Sequence, residues 1–360
     1  MLESYSSIIK VDTCLRTVTM NALLAFTITL FLNRRLLNAS VHLRLIDYPT
    51  ARSLHGQPVP RTGGLAVLGG IFAGVSIAVI IETTSSSLFR ITGFLLAGLI
   101  PLALVSFQDD RKSVAARWRI LVHLLAAVSL LVADLAPGSL ALPGLALVLP
   151  AWVAIPLTLL FIVWMINLYN FMDGMDGFAS GMAVIGFSAL ACLGWADAGF
   201  ATFCLIVAAA GAGFLVYNFP PAKIFLGDTG STALGFLAAG CGLWGAKAGL
   251  FPFWAALLVF SPFIVDATVT LSCRLLRGEK IWEAHRTHYY QRMVVLGWGH
   301  CRTVLVEYTL MLACAGSALL AVRLPPAGQI ILAMVWILVY GLLMWGVGRL
   351  ERRHATVSVP

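Results

Sequence analysis

Charge is scarce in this chain. Asp, Glu, Lys and Arg together supply 11% of its 360 residues, against 60% hydrophobic residues. A soluble domain carries roughly a quarter charged residues, so the composition excludes one and indicates an all-α, polytopic integral membrane protein. The seven cysteines, Cys14, Cys192, Cys204, Cys241, Cys273, Cys301 and Cys314, contain no C-x-x-C pair. That removes the common zinc and thiol-redox signatures and leaves small buried hydrophobes as their reading. No internal repeat is visible. The N-terminal apolar run lacks a small-residue cleavage site and reads as a retained anchor. Between Asp134 and Pro150 there is no Lys or Arg, only Pro, Gly and Leu-rich chain, as expected of a short outside connection.

What the chain has in quantity is long apolar runs. About eleven candidate spans are present, near residues 17–31, 65–81, 91–107, 118–133, 150–166, 178–195, 200–217, 231–246, 253–273, 304–322 and 329–347. The whole chain, 1–360, reads as one membrane-embedded domain. Numbering the loops alternately puts nineteen of the 24 Lys and Arg on one side and five on the other. The positive-inside rule then predicts an outside N-terminus and a cytoplasmic C-terminus. The net charge of +8 is mainly this topology signal, with an attraction for anionic lipid and substrate. It is not a nucleic-acid signature.

Against that background the stretch Asn167–Gly177, N-L-Y-N-F-M-D-G-M-D-G, stands out. Carboxylates beside membrane segments cost about 2.5–3.5 kcal/mol each even on lenient insertion scales. Asn170, Asp173 and Asp176 are three apart, which on a helix keeps them on one face with a drift of about 60° per step. Such a face has the oxygen ligands that a hard cation and a phosphate ester need. A solvated helix cap would explain one aspartate, but three in phase fit it poorly.

Other polar groups fall on the same predicted side. The loop Ile46–Gly64 contains Arg52, His55 and Arg61, with Pro49, Pro58 and Pro60 and three glycines that exclude a regular helix. It is either an ordinary basic loop or an anion-facing one. Asp109-Asp110 closes the third span and suits Mg²⁺ binding or base chemistry, or simply a helix stop. Gly227-Asp228-Thr229-Gly230-Ser231 opens the eighth span, where the helix dipole favours an anion and Asp228 is placed for a metal or as a cap. The largest basic loop, 274–302, holds His285, Arg286 and His288; no third zinc ligand accompanies the histidines, and with Arg292 they look like a pyrophosphate clamp. Asp266, within the ninth span, is left open.

In this order, the pieces Arg52-Ser-x-His55, Pro58-x-Pro60-Arg61-x-Gly63-Gly64, Asp109-Asp110, Asn170-x-x-Asp173-Gly-x-Asp176-Gly, Asn218 and Phe225-x-Gly227-Asp228-Thr-Gly-Ser resemble a known family. It is the polyprenyl-phosphate N-acetylhexosamine-1-phosphate transferases of glycosyltransferase family 4. These include the WecA-like and WbpL-like enzymes of surface-polysaccharide assembly and MraY of peptidoglycan assembly. The resemblance is strongest over 47–292. It implies that undecaprenyl phosphate attacks the β-phosphorus of a UDP-N-acetylamino sugar (UDP-GlcNAc, UDP-FucNAc or similar). UMP leaves, and the lipid-linked diphosphate sugar starts O-antigen or another surface polysaccharide at a bacterial inner membrane.

The resemblance further implies Mg²⁺, or Mn²⁺ in its place, on Asn170 and Asp228. Asp109 and Asp110 would position or deprotonate the lipid phosphate, and Asp173 would join that catalytic cluster. Asp176, Asn218 and Phe225 would bound the uridine. His285, Arg286 and His288 would meet phosphates or sugar, and Arg52, His55 and Arg61 would line the anion path. Where the family often carries a compact His-x-His-His, this chain has His285-Arg-Thr-His288-Tyr-Tyr, which favours the WbpL-like branch. A homodimer is left open. Two rivals remain at this point: a UbiA-type prenyltransferase, which should show acidic motifs at four-residue spacing, and a secondary transporter, which should show repeats and mid-span polar residues.

Overall fold

Apolar runs of this length satisfy their backbone polar groups internally by forming helices. In the computed structural model, which describes residues 2–43, 45–49, 53–54, 56–81, 86–280 and 285–357, thirteen α-helices account for most of the chain. They are α1 (Leu2–Leu43), α2 (Gly63–Ile81), α3 (Ser86–Arg111), α4 (Ala116–Val132), α5 (Ala151–Phe171), α6 (Phe178–Leu193) and α7 (Ala198–Asn218). The rest are α8 (Gly227–Lys247), α9 (Phe253–Val259), α10 (Ser261–Leu276), α11 (Tyr289–Met293), α12 (Gly299–Ala321) and α13 (Pro326–Val357). A two-residue ladder, β1 (Ile46–Asp47) with β2 (Val59–Pro60), pins the first basic loop. The charge-free loop is a hairpin, β3 (Ser139–Leu142) with β4 (Leu145–Val148), in antiparallel register from Ser139 opposite Val148.

Among the described residues six helices are long and apolar enough to cross a membrane, or seven if one bent pair is a single span. This is fewer than the eleven runs read from sequence, although every run coincides with helix. The ninth run differs most: it breaks at Phe260 into α9 and α10, bent by 78°. The eighth run, α8, is not one of the six, and its composition explains why. It is rich in Gly, Ser and Thr and is buried along nearly its whole length, so neighbouring helices rather than lipid set its polarity. α13 is the opposite case, with Met334, Ile337 and Leu338 each more than 60% exposed, as a lipid-facing helix should be.

α8 packs against α2, α3 and α5, and the contact with α2 is backbone to backbone. Gly64 donates its N–H to Leu226 O at 2.8 Å, and a Cβ built on it would lie 2.3 Å from Gly230 N. Gly64→Ala therefore pushes the first turn of α8 outward. Overpacking of this kind costs about 1–3 kcal/mol. A lower melting temperature in detergent, with turnover reduced, is the expected outcome; a melting temperature equal to wild type would show that α8 tolerates the displacement.

Candidate active site

The connections that the charge pattern assigns to one side of the membrane meet at one end of the bundle, around a cleft of about 580 Å³. Into it come Asp109 and Asp110 from the end of α3, Asn170 from the end of α5, Asp173 and Asp176 from the following turn, and Asp228 from the start of α8. Arg61, Asn218, Phe225 and His285 also line it. Arg52 and His55 lie outside the described residues.

Asn170, Asp173 and Asp176 do not share a helical face. α5 stops at Phe171, Met172 caps it, and residues 173–177 form bends and turns. Gly177, at φ 75°, holds a left-handed conformation that a Cβ disfavours. The turn sends the two aspartates to different partners. Asp176 accepts the Ala222 N–H at 3.0 Å and pairs with His300 Nδ1 at 3.0 Å. His300 Nε2 lies 3.2 Å from Leu54 O, so this side chain ties the first basic loop, the 173–177 turn and α12 together. Sequence reading missed His300; its only signal was a histidine just before the tenth apolar run. Asp173 is held against Asp228, Asp110 and Arg61, with the Gly227 amide donating to it.

Asp110 is committed locally. Its oxygens accept the N–H of Asp228 at 2.9 Å, the N–H of Thr229 at 3.0 Å and the Thr229 hydroxyl at 2.6 Å. It therefore caps α8 from another helix and satisfies the donors that a helix start leaves open. Neither Asp228 nor Ser231 is the cap: Ser231 Oγ donates instead to Gly227 O at 3.0 Å. Asp109 accepts the Val114 N–H at 2.7 Å and Arg119 Nη1 at 2.9 Å, and its carboxyl also meets that of Asp228. Arg61 pairs with Asp47, which sets the guanidinium at the cleft edge.

Asn218 lines the cleft, but its amide is spent on structure. Its Oδ1 accepts from Gly177 N at 3.0 Å and Ser180 Oγ at 2.8 Å, and its Nδ2 donates to Ile224 O at 2.9 Å. It positions the loops around Asp176 and Phe225 rather than offering free hydrogen bonds to a uracil. His288 is 2% exposed and does not line the cleft. Its Nδ1 is 3.2 Å from Asp266 Oδ1, and Asp266 also accepts the N–H of Tyr289 and Tyr290 at 3.0 and 3.1 Å. Asp266 thus caps α11 as Asp110 caps α8. Arg286 opens onto a neighbouring cavity. Of the four residues read as a clamp, only His285 reaches the cleft, and Arg292 lines the same neighbouring cavity as Arg286.

Electrostatics separate the groups further. Burial, and then the neighbouring Asp228 and Asp110, hold the Asp173 carboxyl well above the usual carboxylate range. Burial, then Asp110 and Asp109, push Asp228 up to about 7, with Arg61 opposing. The site therefore concentrates negative charge that Arg61 only partly offsets. Burial, then His288 and Arg274, push His285 down to about 4. His285 is a neutral donor and acceptor near pH 7, not a cation. An NMR titration of His285 should show no inflection between pH 5.5 and 8, and an inflection near 6.5 would restore the cationic reading.

Among the described residues, no three His, Cys, Asp or Glu side chains group as a protein-only metal site. The donor set nonetheless fits Mg²⁺, which commonly takes one or two carboxylates, with water and substrate phosphates filling the rest of its shell. Asp228 and Asn170, which both line the cleft, with repelling carboxylates around Asp228, are such a partial set.

The family model described as glycosyl transferase family 4 matches residues 91–246. A Bacillus subtilis protein named "Probable undecaprenyl-phosphate N-acetylglucosaminyl 1-phosphate transferase" is 31% identical over 274 residues, 75% of this chain and 75% of its own. The Mycobacterium tuberculosis decaprenyl-phosphate N-acetylglucosaminephosphotransferase is 30% identical over 325 residues, 82% of this chain and 80% of its own. A Halalkalibacterium halodurans phospho-N-acetylmuramoyl-pentapeptide-transferase is 32% identical over 170 residues, 46% of this chain and 50% of its own.

Proposed function

Because the chain belongs to glycosyl transferase family 4, we propose that it transfers an N-acetylamino-sugar 1-phosphate from a UDP-sugar to a polyprenyl phosphate in the membrane. The products are UMP and a polyprenyl-diphosphate sugar, the first lipid-linked intermediate of a surface polysaccharide such as O-antigen. The observation that carries this reading is the gathering of Asp109, Asp110, Asp173 and Asp228 from the ends of two helices and one turn into one cleft. The prenyltransferase and transporter alternatives fall away with the family.

The chemistry must bring an anionic lipid phosphate up to an anionic diphosphate, so charge compensation dominates the barrier. Asp228 and Asn170 would hold Mg²⁺, and the ion would supply Lewis-acid stabilisation of the phosphoryl oxygens. Asp110, whose oxygens accept from the start of α8, fixes the turn that brings Asp228 into the cleft. Asp109 is oriented by Val114 and Arg119 next to Asp228. No carboxylate has to act as a nucleophile, because a phosphate monoester with a second pKa near 6 is largely a dianion at pH 7. The lipid oxygen attacks the β-phosphorus directly, the bond to the UMP oxygen breaks, and UMP carries off the electron pair. Phe225 and Asp176 bound the side toward the first basic loop, where the nucleoside would lie.

Incubating membranes that contain the protein with labelled UDP-GlcNAc, UDP-GalNAc or UDP-FucNAc and undecaprenyl phosphate tests this. UDP-GlcNAc comes first because the two long relatives are named for that sugar. Lipid-dependent UMP release with a labelled lipid product is expected. Label trapped on the protein without lipid acceptor would replace direct attack with a two-step route.

A further inference from the structure

The segment 285–292 divides its side chains between two cavities. His285 and Gln291 face the acidic cleft. Arg286, Thr287, Tyr289 and Arg292 face a second cavity of about 460 Å³, with Arg274 and Arg277 from the end of α10. No residue lines both. Where the cleft is lined by carboxylates, this second cavity holds four arginines and one carboxylate, Glu351.

Two of the four arginines are already paired. Arg292 Nε donates to Glu351 at 2.6 Å, and its guanidinium sits 4.5 Å over the Tyr289 ring. Arg274 pairs through Nη1 with Glu279 at 2.8 Å and donates through Nη2 to Lys280 O at 3.1 Å. Arg274 is only 9% exposed, yet its buried Nε–H has no acceptor among the described residues. A buried donor left unsatisfied is costly, and more so on a charged group. Arg277 and Arg286 make no ion pair among the described residues. Among the described residues, the cavity therefore offers no acceptor to Arg274 Nε and no anionic partner to Arg277 and Arg286. A phosphate supplies both, with several oxygens that match guanidinium forks.

The surroundings indicate what carries that phosphate. Leu275 and Leu276, next to Arg274 and Arg277 in sequence, are 62% and 87% exposed, and Val295, which lines the cavity, is 61% exposed. Bare apolar side chains next to unpaired guanidiniums match the boundary between lipid tails and headgroups. The face is also the one that the positive-inside pattern puts toward anionic lipid, which attracts basic residues near the surface. We propose that the arginine cavity binds the phosphate of an anionic membrane lipid, separately from the substrates of the cleft. This does not depend on the transferase reading, because the binding is measured without turnover.

The test uses the full chain in neutral detergent, with native mass spectrometry and thermal melting as readouts. Three additions are compared: phosphatidylglycerol, phosphatidylcholine and inorganic phosphate. Phosphatidylglycerol should give a retained adduct and a raised melting temperature, with phosphatidylcholine giving neither. Arg277→Gln with Arg286→Gln should weaken phosphatidylglycerol binding at least tenfold. These two side chains are the safe choice, since Arg274→Gln removes buried bonds and endangers folding. Equal binding of the two lipids, or an unchanged affinity in the double variant, would overturn the proposal. So would an inorganic phosphate effect as large as that of phosphatidylglycerol, which would assign the cavity to a soluble anion.

Discussion

Asp228→Asn should lose nearly all turnover while the protein still inserts and folds. The side chain sits at the start of α8 with Asp109, Asp110 and Asp173 around it, and the amide keeps its size. What disappears is one negative charge and one strong oxygen ligand. Removing a single electrostatic contact to a reacting phosphate or oxyanion costs about 10²–10³-fold in rate, and the loss here should be at least that. A variant with wild-type activity would remove Asp228 from the cation site.

The same substitution has a consequence for stability. Burial and like charge raise the Asp228 carboxyl to about 7 in the folded protein, above its ordinary value of 3.8. Between those two values the folded state binds more protons than the unfolded state, so stability falls as pH rises from about 4 to 7 and then levels off. Without divalent cation, melting temperatures should decline across that window. Asp228→Asn should make the decline shallower, with Asp173 sustaining the remainder, and added Mg²⁺ should counter it in the wild type. A wild-type profile that is flat without cation would mean that the acids are compensated by protein groups alone.

The second large effect is expected at Asp110. Asp110→Ala leaves the half-buried Asp228 N–H, the buried Thr229 N–H and the Thr229 hydroxyl without their acceptor, at a cost of about 1–3 kcal/mol for each donor that water does not reach. The start of α8 should loosen, with a melting temperature lower by several degrees and turnover lost along with it. Asp110→Asn keeps one carbonyl oxygen and should be intermediate in both. Two stable variants, equally inactive and rescued by raising the pH, would instead identify Asp110 as a general base. Asp109, which touches Arg119 and Asp228 rather than a helix start, should lose rate with little loss of stability.

Some of this molecule is legible in the chain itself. Apolar runs must be helical in a membrane, whatever packs against them, so the helices and their ends follow from composition and from Gly and Pro positions. Family membership follows too, because the Asp-Gly and Gly-Asp-Thr-Gly-Ser spacings are local. The helical reading of Asn170, Asp173 and Asp176 failed because α5 ends at Phe171, before Asp173, and Gly177 at φ 75° turns the chain into α6.

What the chain order alone did not decide is which acids remain available for chemistry. Asp110 and Asp266 look as free as Asp173 and Asp228 in sequence. Each is consumed by backbone donors far along the chain, 118 residues away for Asp110 and 23 for Asp266. Asp176 is paired with His300 across 124 residues, and Asn218 closes loops that meet only after α6 and α7 pack. Hydrogen-bond donors to a buried carboxylate come from whichever elements surround it, so its charge, its hydration and its freedom to meet a ligand are properties of the packed bundle. The start of α8, with Asp228 beside Asp109 and Asp173, shows this: its place in the acidic cleft is set by the helices packed around it.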